Sequence, residues 1–351
     1  MILDDFDRMQ EIDKSNMLLE LQTLPDQLAE AWRIADSYEL PDFKEIKAVT
    51  IAGMGGSAIG ADILAAYVND HCITPVSVVR GYSLPGWVSG KNNLVICSSH
   101  SGNTEETLSV FEQAIQRNCT LLAVSRGGKI KLLAEENHSF FWTFEHEGQP
   151  RSAVGFSFGI LLNLFSRMKL VPDQKDHLDS AVNSMRKTLT EVDIDRPVVK
   201  NLAKRIAGQA FGREPVILGA EHLEPIARRW KTQINEIAKA WAGFEFMPEA
   251  NHNTLAGLEY PESVLEKMYA IFLTSNNYHP RNQKRFELTF DQFMVSGLCT
   301  DKIQVDESDK LSELWRVLLL GDFISYYLAM LYEVDPTPID SLENFKKAMK
   351  L

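Results

Sequence analysis

The chain has 351 residues, 45% hydrophobic and 24% charged, with a formal net charge of −12. That length holds two domains that each bury a core without disulfides or metals, and the acidic balance counts against a nucleic-acid partner, whose phosphates call for clustered Lys and Arg. The start, MILDDFDRMQ, lacks the basic-then-apolar pattern of a secretory leader, and the apolar stretch VLLLGDFISYYLAMLY is interrupted by Asp322, so no membrane partner and a cytoplasmic setting are expected.

In chain order, MLLELQTLPDQLAEAWRIA repeats its apolar residues at three and four positions and reads as helices leading into a first domain. AVTIAGMGGSAIGADILAAYV follows as strand, glycine-rich turn and helix. PVSVVRGYSLP gives a second strand, NLVICSSHSGNTEETLSVFEQAIQRN a third strand and helix, and TLLAVSRGGKIKLLAEEN and FFWTFE further strand segments. This alternation implies a parallel sheet covered on both faces. A first domain is expected over 1–152. The second, 153–351, opens with the bridging helix GFSFGILLNLFSRMKL, and its strand-turn-helix pattern restarts at PVILGAEHLEPIARRWKTQINEIAKAW, which looks like a diverged copy of the first unit. MYAIFLTS and KIQVDES supply later strands before the long apolar helix LSELWRVLLLGDFISYYLAMLYEVDP. The short basic runs at 203–205 and 227–229 read as solvated helix faces. Cys72, Cys97, Cys119 and Cys299 show no CxxC spacing, which favours reduced thiols over disulfides or zinc ligands.

Two turns carry the chemistry. GMGGSAIG, residues 53–60, follows a strand and opens a helix, where backbone N–H groups and the helix dipole attract an anion. Its GxGG spacing, and a second strand ending at Arg80 instead of an acid, argue against a dinucleotide cofactor. SSHSGNTEET, residues 99–108, also follows a strand and starts a helix. It can be read as a helix cap, with Glu105 or Glu106 in the first turn, or as a ring of hydroxyl donors around a phosphate. In an open parallel sheet both turns emerge at one carboxyl edge, where such folds bind ligands. No HxH, HExxH or carboxylate cluster stands at metal-ligand spacing, so no metal is expected.

GMGGSAIG with SSHSGNTEET resembles the sugar-isomerase (SIS) domain, and the whole chain resembles the bifunctional phosphoglucose/phosphomannose isomerase family, built from two SIS domains in about this length. One departure is His100, where a Tyr is common between the two serines. The resemblance implies an α/β fold of two tandem doubly wound, flavodoxin-like parallel-sheet domains with helices on both faces. It also implies an aldose–ketose isomerase that interconverts glucose 6-phosphate, and mannose 6-phosphate, with fructose 6-phosphate through a cis-enediolate. The alternative is a non-catalytic phosphosugar-binding or regulatory protein of the same fold. On the isomerase reading Gly55, Gly56, Ser57, Ser99, Ser101 and Thr104 hold the phosphate. Glu236, in an NE pair that departs from the family's NEN-like segment at Ile237, is the base. His252, in PEANHNTLAG, assists ring opening, and Arg151, in GQPRSAVGF, steadies the enediolate. Lys346 fits the family's apolar-Lys pattern near the C-terminus, with Lys347 the neighbouring choice. By pattern alone Glu236 would be a surface residue, and Arg151 reads equally as a surface arginine or a functional one. The family's dimers, with active sites at the interface, imply a homodimer.

Overall fold

The computed structural model describes residues 2–41, 43, 45–305, 307 and 309–349. The chain divides into two units. The first comprises Thr23–Asn183 with Lys310–Ser312, and the second the described residues of Met1–Gln22, Ser184–Asp309 and Glu313–Leu351.

The first unit opens with α1 (Leu24–Ser37), followed by β1 (Ala48–Ala52) and α2 (Gly55–Val68). Next come β2 (Val76–Val79), β3 (Asn93–Ser99), α3 (Glu105–Gln116), β4 (Thr120–Ser125), α4 (Lys129–Glu136), β5 (Phe140–Trp142) and α5 (Val154–Arg167). All strand pairs are parallel, in the order β2-β1-β3-β4-β5. Every residue of β1 is buried, and β3 is buried from Leu94 onward. Strands covered on both faces have no solvent side to alternate toward, so they read as continuous apolar runs. This strand order reverses direction between β1 and β3, and the two turns singled out above leave the sheet on either side of that point.

The expected boundary at 152/153 falls inside this unit. α5 is buried without a break from Val154 to Phe165 and packs on α1 and α2, because a helix apolar all round has no face for water. It is a core helix of the first unit, not a bridge, and the chain passes to the second unit after Asn183.

The second unit carries β6 (Glu214–Ala220), α6 (Glu224–Ile237), β7 (Gly243–Met247), β8 (Met268–Ser275), α7 (Pro280–Val295), β9 (Cys299–Val305), α8 (Lys310–Leu331) and α9 (Asp340–Ala348). Its sheet is again parallel, in the order β7-β6-β8-β9, which repeats the first four positions of the other sheet. β7 is absent from the sequence reading above. GFEFM alternates Phe and Glu between a glycine and the turn at Pro248, a short strand signature of its own.

The basic runs are only partly solvated: Arg205 is exposed and Arg228 half-buried, but one cation in each run is buried. Lys204 is 1% exposed, and its ammonium donates to the Ile194 and Arg196 carbonyls at 2.9 and 2.7 Å. Arg229 is also 1% exposed and makes a two-pronged bond to Asp322 on α8, Nε–Oδ1 3.1 Å and Nη2–Oδ2 2.6 Å. The arginine explains how a carboxylate sits inside α8: burial pushes Asp322 upward, and the facing guanidinium pulls it back. By length and composition α8 could cross a membrane, but 89% of its most apolar stretch is buried in the structure. All four cysteines are free, and burial pushes the Cys97 thiol far above its ordinary range.

Candidate functional site

The β1 turn leads directly into α2, whose N-cap residue, Met54, has extended backbone and offers no side-chain cap. The Gly55 and Gly56 amides at the start of α2 have no intrahelical partner, whereas Ser57 and Ala58 donate to the Met54 carbonyl. Gly55 follows in the left-handed region at φ 52°. Gly56 is required by close approach: a Cβ there would lie 2.4 Å from the Pro150 carbonyl and 3.3 Å from the Arg151 Cα. Arg151 is thus brought against the N-terminus of α2, and it is buried, at 5% exposed. Gln27 on α1 holds this segment from both sides, donating to the Ser152 carbonyl at 2.9 Å and accepting from the Gly155 amide at 2.7 Å. Neither Gln27 nor the Arg151–Gly56 contact is visible in sequence, because both join segments about a hundred residues apart.

The β3 turn forms no side-chain cap. Thr104 is the N-cap of α3, yet its side chain caps nothing; its hydroxyl pairs with Ser99 Oγ at 3.0 Å instead. Ser99 accepts from the Gly102 amide at 3.1 Å, and Ser101 from the Asn103 amide at 3.2 Å. The hydroxyls shape the loop and leave the amides at the start of α3 without a side-chain cap. Gly102, at φ 67°, admits no side chain, since a Cβ would fall 1.7 Å from the Gly127 carbonyl. Two open helix N-termini, the hydroxyls of Ser57, Ser99, Ser101 and Thr104, and a buried arginine beside Gly56 therefore meet the β1/β3 edge. Backbone dipoles and neutral donors of this kind are chemically suited to an anion.

His100 turns inward between the two serines. Its Nε2 lies 3.0 Å from His146 Nδ1, and His146 packs edge-on against Phe156 of α5. Burial, then His146 and Arg126, push the His100 imidazole down from 6.5 to about 4, so it is neutral at neutral pH. Between these values the unfolded chain holds a proton that the folded chain refuses, so stability drops as pH falls from about 6.5 toward 4 and levels off below. We expect urea-unfolding midpoints to show this acid loss in the native protein and less of it in His100→Tyr; equal pH dependence in both would contradict the assignment.

The remaining predicted residues belong to the second unit or its C-terminal helix. Glu236, half-buried, sits in the last turn of α6, and its neighbour Asn235 donates to the Ala240 carbonyl at 2.7 Å. α6 starts at the carboxyl edge of β6 and spans 14 residues, about 21 Å of helix, so Glu236 lies at the amino edge of that sheet. His252 follows the end of β7 at the carboxyl edge and is exposed. One chain's second unit therefore holds the two residues at opposite edges and does not bring them together. Lys346 and Lys347 are exposed in the last turn of α9. A groove of about 930 Å³ in the first unit, lined by Trp32, His71 and Arg167 among others, opens near the start of β2 and the end of α5, away from both turns.

Among known proteins, the bifunctional phosphoglucose/phosphomannose isomerase of Caldicellulosiruptor bescii is 36% identical over 337 residues, covering 95% of this chain and 98% of that protein. This chain belongs to that family. The family member from Thermoplasma acidophilum is 33% identical, covering 93% of this chain and 96% of its own length. Residues 199–349 match the family described as the bacterial phospho-glucose isomerase C-terminal SIS domain, so the second unit, beyond its repeated strand order, has its own place in the family. Solved structures share the fold alone. Tagatose-6-phosphate ketose/aldose isomerase from Escherichia coli superposes with a TM-score of 0.73 at 17% identity, covering 91% of this chain and 95% of that one. The C-terminal domain of glucosamine-fructose-6-phosphate aminotransferase from Francisella tularensis gives 0.70 at 16% identity, covering 92% and 97%.

Proposed function

We propose that the first unit holds the phosphate of a 6-phosphosugar while Glu236, His252, Arg151 and Lys346 carry out the isomerisation. The chain is an aldose–ketose isomerase, interconverting glucose 6-phosphate and mannose 6-phosphate with fructose 6-phosphate. The observation that carries the site assignment is the pair of helix N-termini, uncapped by side chains, at the β1/β3 edge, with the hydroxyls of Ser57, Ser99, Ser101 and Thr104 around them and Arg151 against Gly56.

The reaction removes the proton from C2, passes through a cis-enediolate and returns the proton to C1, so one carboxylate serves both epimers if it reaches C2 from either configuration. Glu236 takes that role. Arg151, permanently charged, stabilises the enediolate oxygen as charge develops there. His252, with Lys346, moves the proton between the ring oxygen and the C1 hydroxyl during ring opening. The separation of Glu236 and His252 across the second sheet favours a homodimer in which each site takes His252 from the neighbouring copy. Free thiols, one buried and three half-buried, fit a cytoplasmic setting.

The test is a coupled assay of fructose 6-phosphate formation from each epimer. Ser101→Ala removes one donor to a charged phosphate, a bond of about 1.5–3 kcal/mol. KM should rise roughly ten- to a hundredfold for both epimers, with kcat much less affected. An unchanged KM in a folded variant would remove Ser101 from the site.

A further inference from the structure

The second unit repeats the architecture of the first down to single residues, so what stands at its own switch point can be read position by position. In the first sheet Ala48 pairs with Asn93, and in the second Glu214 pairs with Met268. Counting forward, Gly53 answers to Gly219 and Met54 to Ala220. Both Met54 and Ala220 are extended N-cap residues, at φ −128°, ψ 159° and φ −148°, ψ 160°. Gly55 answers to Glu221, and both are left-handed, at φ 52° and 49°. In the third strands Thr104, the N-cap of α3, answers to His279, the N-cap of α7.

Three of the four matched hydroxyls are replaced, while Ser99 answers to Thr274 and keeps its own. Where the first unit has Ser57, Ser101 and Thr104, the second has Leu223, Asn276 and His279. The start of α7 is not left open: Glu221 Oε1 accepts from the His279 amide at 2.9 Å and from Asn282 Nδ2 at 2.7 Å, and His279 Nδ1 accepts from the Arg281 amide at 3.2 Å. Beside it, Glu313 reaches in from the first turn of α8. Its carboxylate takes Ser275 Oγ at 2.9 and 2.8 Å and lies 2.8 Å from His222 Nε2. His222 stands where the first unit has Gly56, and Ser275 where it has His100. All three side chains are buried, with Glu313 at 0% exposed. His222 Nδ1, also buried, has no hydrogen-bond partner among the described residues, so Glu313 is the ring's polar contact there.

We propose that the second switch point is an oxyanion site occupied from within, with the Glu313 carboxylate as its resident anion, and that removing this carboxylate opens the site to inorganic phosphate. Each native chain accordingly takes one phosphosugar although it contains two copies of the binding architecture. Glu221 closes the neighbouring helix N-terminus in the same way, with a carboxylate where a ligand oxygen would otherwise find amides.

The experiment is equilibrium dialysis of labelled inorganic phosphate against the full-length native protein and Glu313→Ala, each with and without excess fructose 6-phosphate. With the sugar phosphate present, native protein should retain no phosphate, and the variant should retain one equivalent per chain. Adding His222→Leu to Glu313→Ala should abolish that gain. A second phosphate on the native chain, or no gain in a folded Glu313→Ala protein, overturns the proposal, as does a gain that survives His222→Leu. Should Glu313→Ala not fold in chloride, refolding in phosphate at matched ionic strength decides: rescue supports an anion site, and equal failure overturns it. If fructose 6-phosphate displaces nothing from either protein, the first unit's assignment falls, while the difference between the two proteins still tests this one.

Discussion

Glu236→Gln is expected to cut kcat for both glucose and mannose 6-phosphates by roughly 10²–10⁴-fold, the range for loss of a general acid–base group, while KM changes little. The amide keeps the shape and hydrogen-bonding reach of the carboxylate but carries no proton between C2 and C1. Solvent deuterium should enter the sugar at C2 with the native enzyme and cease to do so with the variant, a readout that a merely structural Glu236 would not move. Full activity for either epimer would sink the assignment. Because Glu236 and His252 sit at opposite edges of one second-unit sheet, two inactive variants should complement each other. Mixed and refolded copies of Glu236→Gln and His252→Asn should recover up to about a quarter of native activity, since half of the dimers are mixed and each of these has one intact pair. No recovery would place His252 in the same chain's site or outside catalysis.

Asp322→Ala should destabilise the second unit by about 3–5 kcal/mol, because it leaves Arg229 buried with an uncompensated charge. Arg229 is 1% exposed and Asp322 also 1%, so water cannot replace the lost partner. The pair itself contributes little net stability, since burying both ions costs about what their attraction returns. Replacing both at once, Arg229→Met with Asp322→Leu, should therefore recover most of the loss. Urea unfolding followed by tryptophan fluorescence reads this directly, because Trp230 lies next to Arg229 and its indole donates to the Val317 carbonyl at 2.9 Å. A single variant within about 1 kcal/mol of native stability would contradict a structural role for this buried pair.

Much of the fold is legible in the residues. GMGGSAIG and SSHSGNTEET each follow an apolar strand and lead into a helix, and the structure places both at the reversal of strand order between β1 and β3. The repeat is legible too, in PVILGAEHLE set beside VTIAGMGGSA. GFEFM escapes, because five residues of weak alternation carry too little periodicity to stand out. The basic runs mislead because charge in a sequence does not say which way a helix face points. Lys204 and Arg229 occupy buried stripes where backbone carbonyls and Asp322 receive them.

The capping reading of the hydroxyl loop is settled by hydrogen bonds that no sequence states. Thr104 turns to Ser99 instead of to its own helix. Arg151 looks like a surface residue until Gly56, with no side chain to interfere, lets the Pro150–Arg151 backbone press against α2.

By itself the sequence determines the local elements and the hydroxyl and glycine chemistry of the two turns, because helix, strand and turn preferences act between near neighbours along the chain. Tertiary structure alone decides that α5 belongs to the first core, that Arg151 is buried against Gly56 and that Glu236 and His252 lie at opposite sheet edges. It alone shows that Glu313 reaches His222 and Ser275. Each of these outcomes depends on which distant segments pack together, and burial, close approach and strand order are properties of that packing.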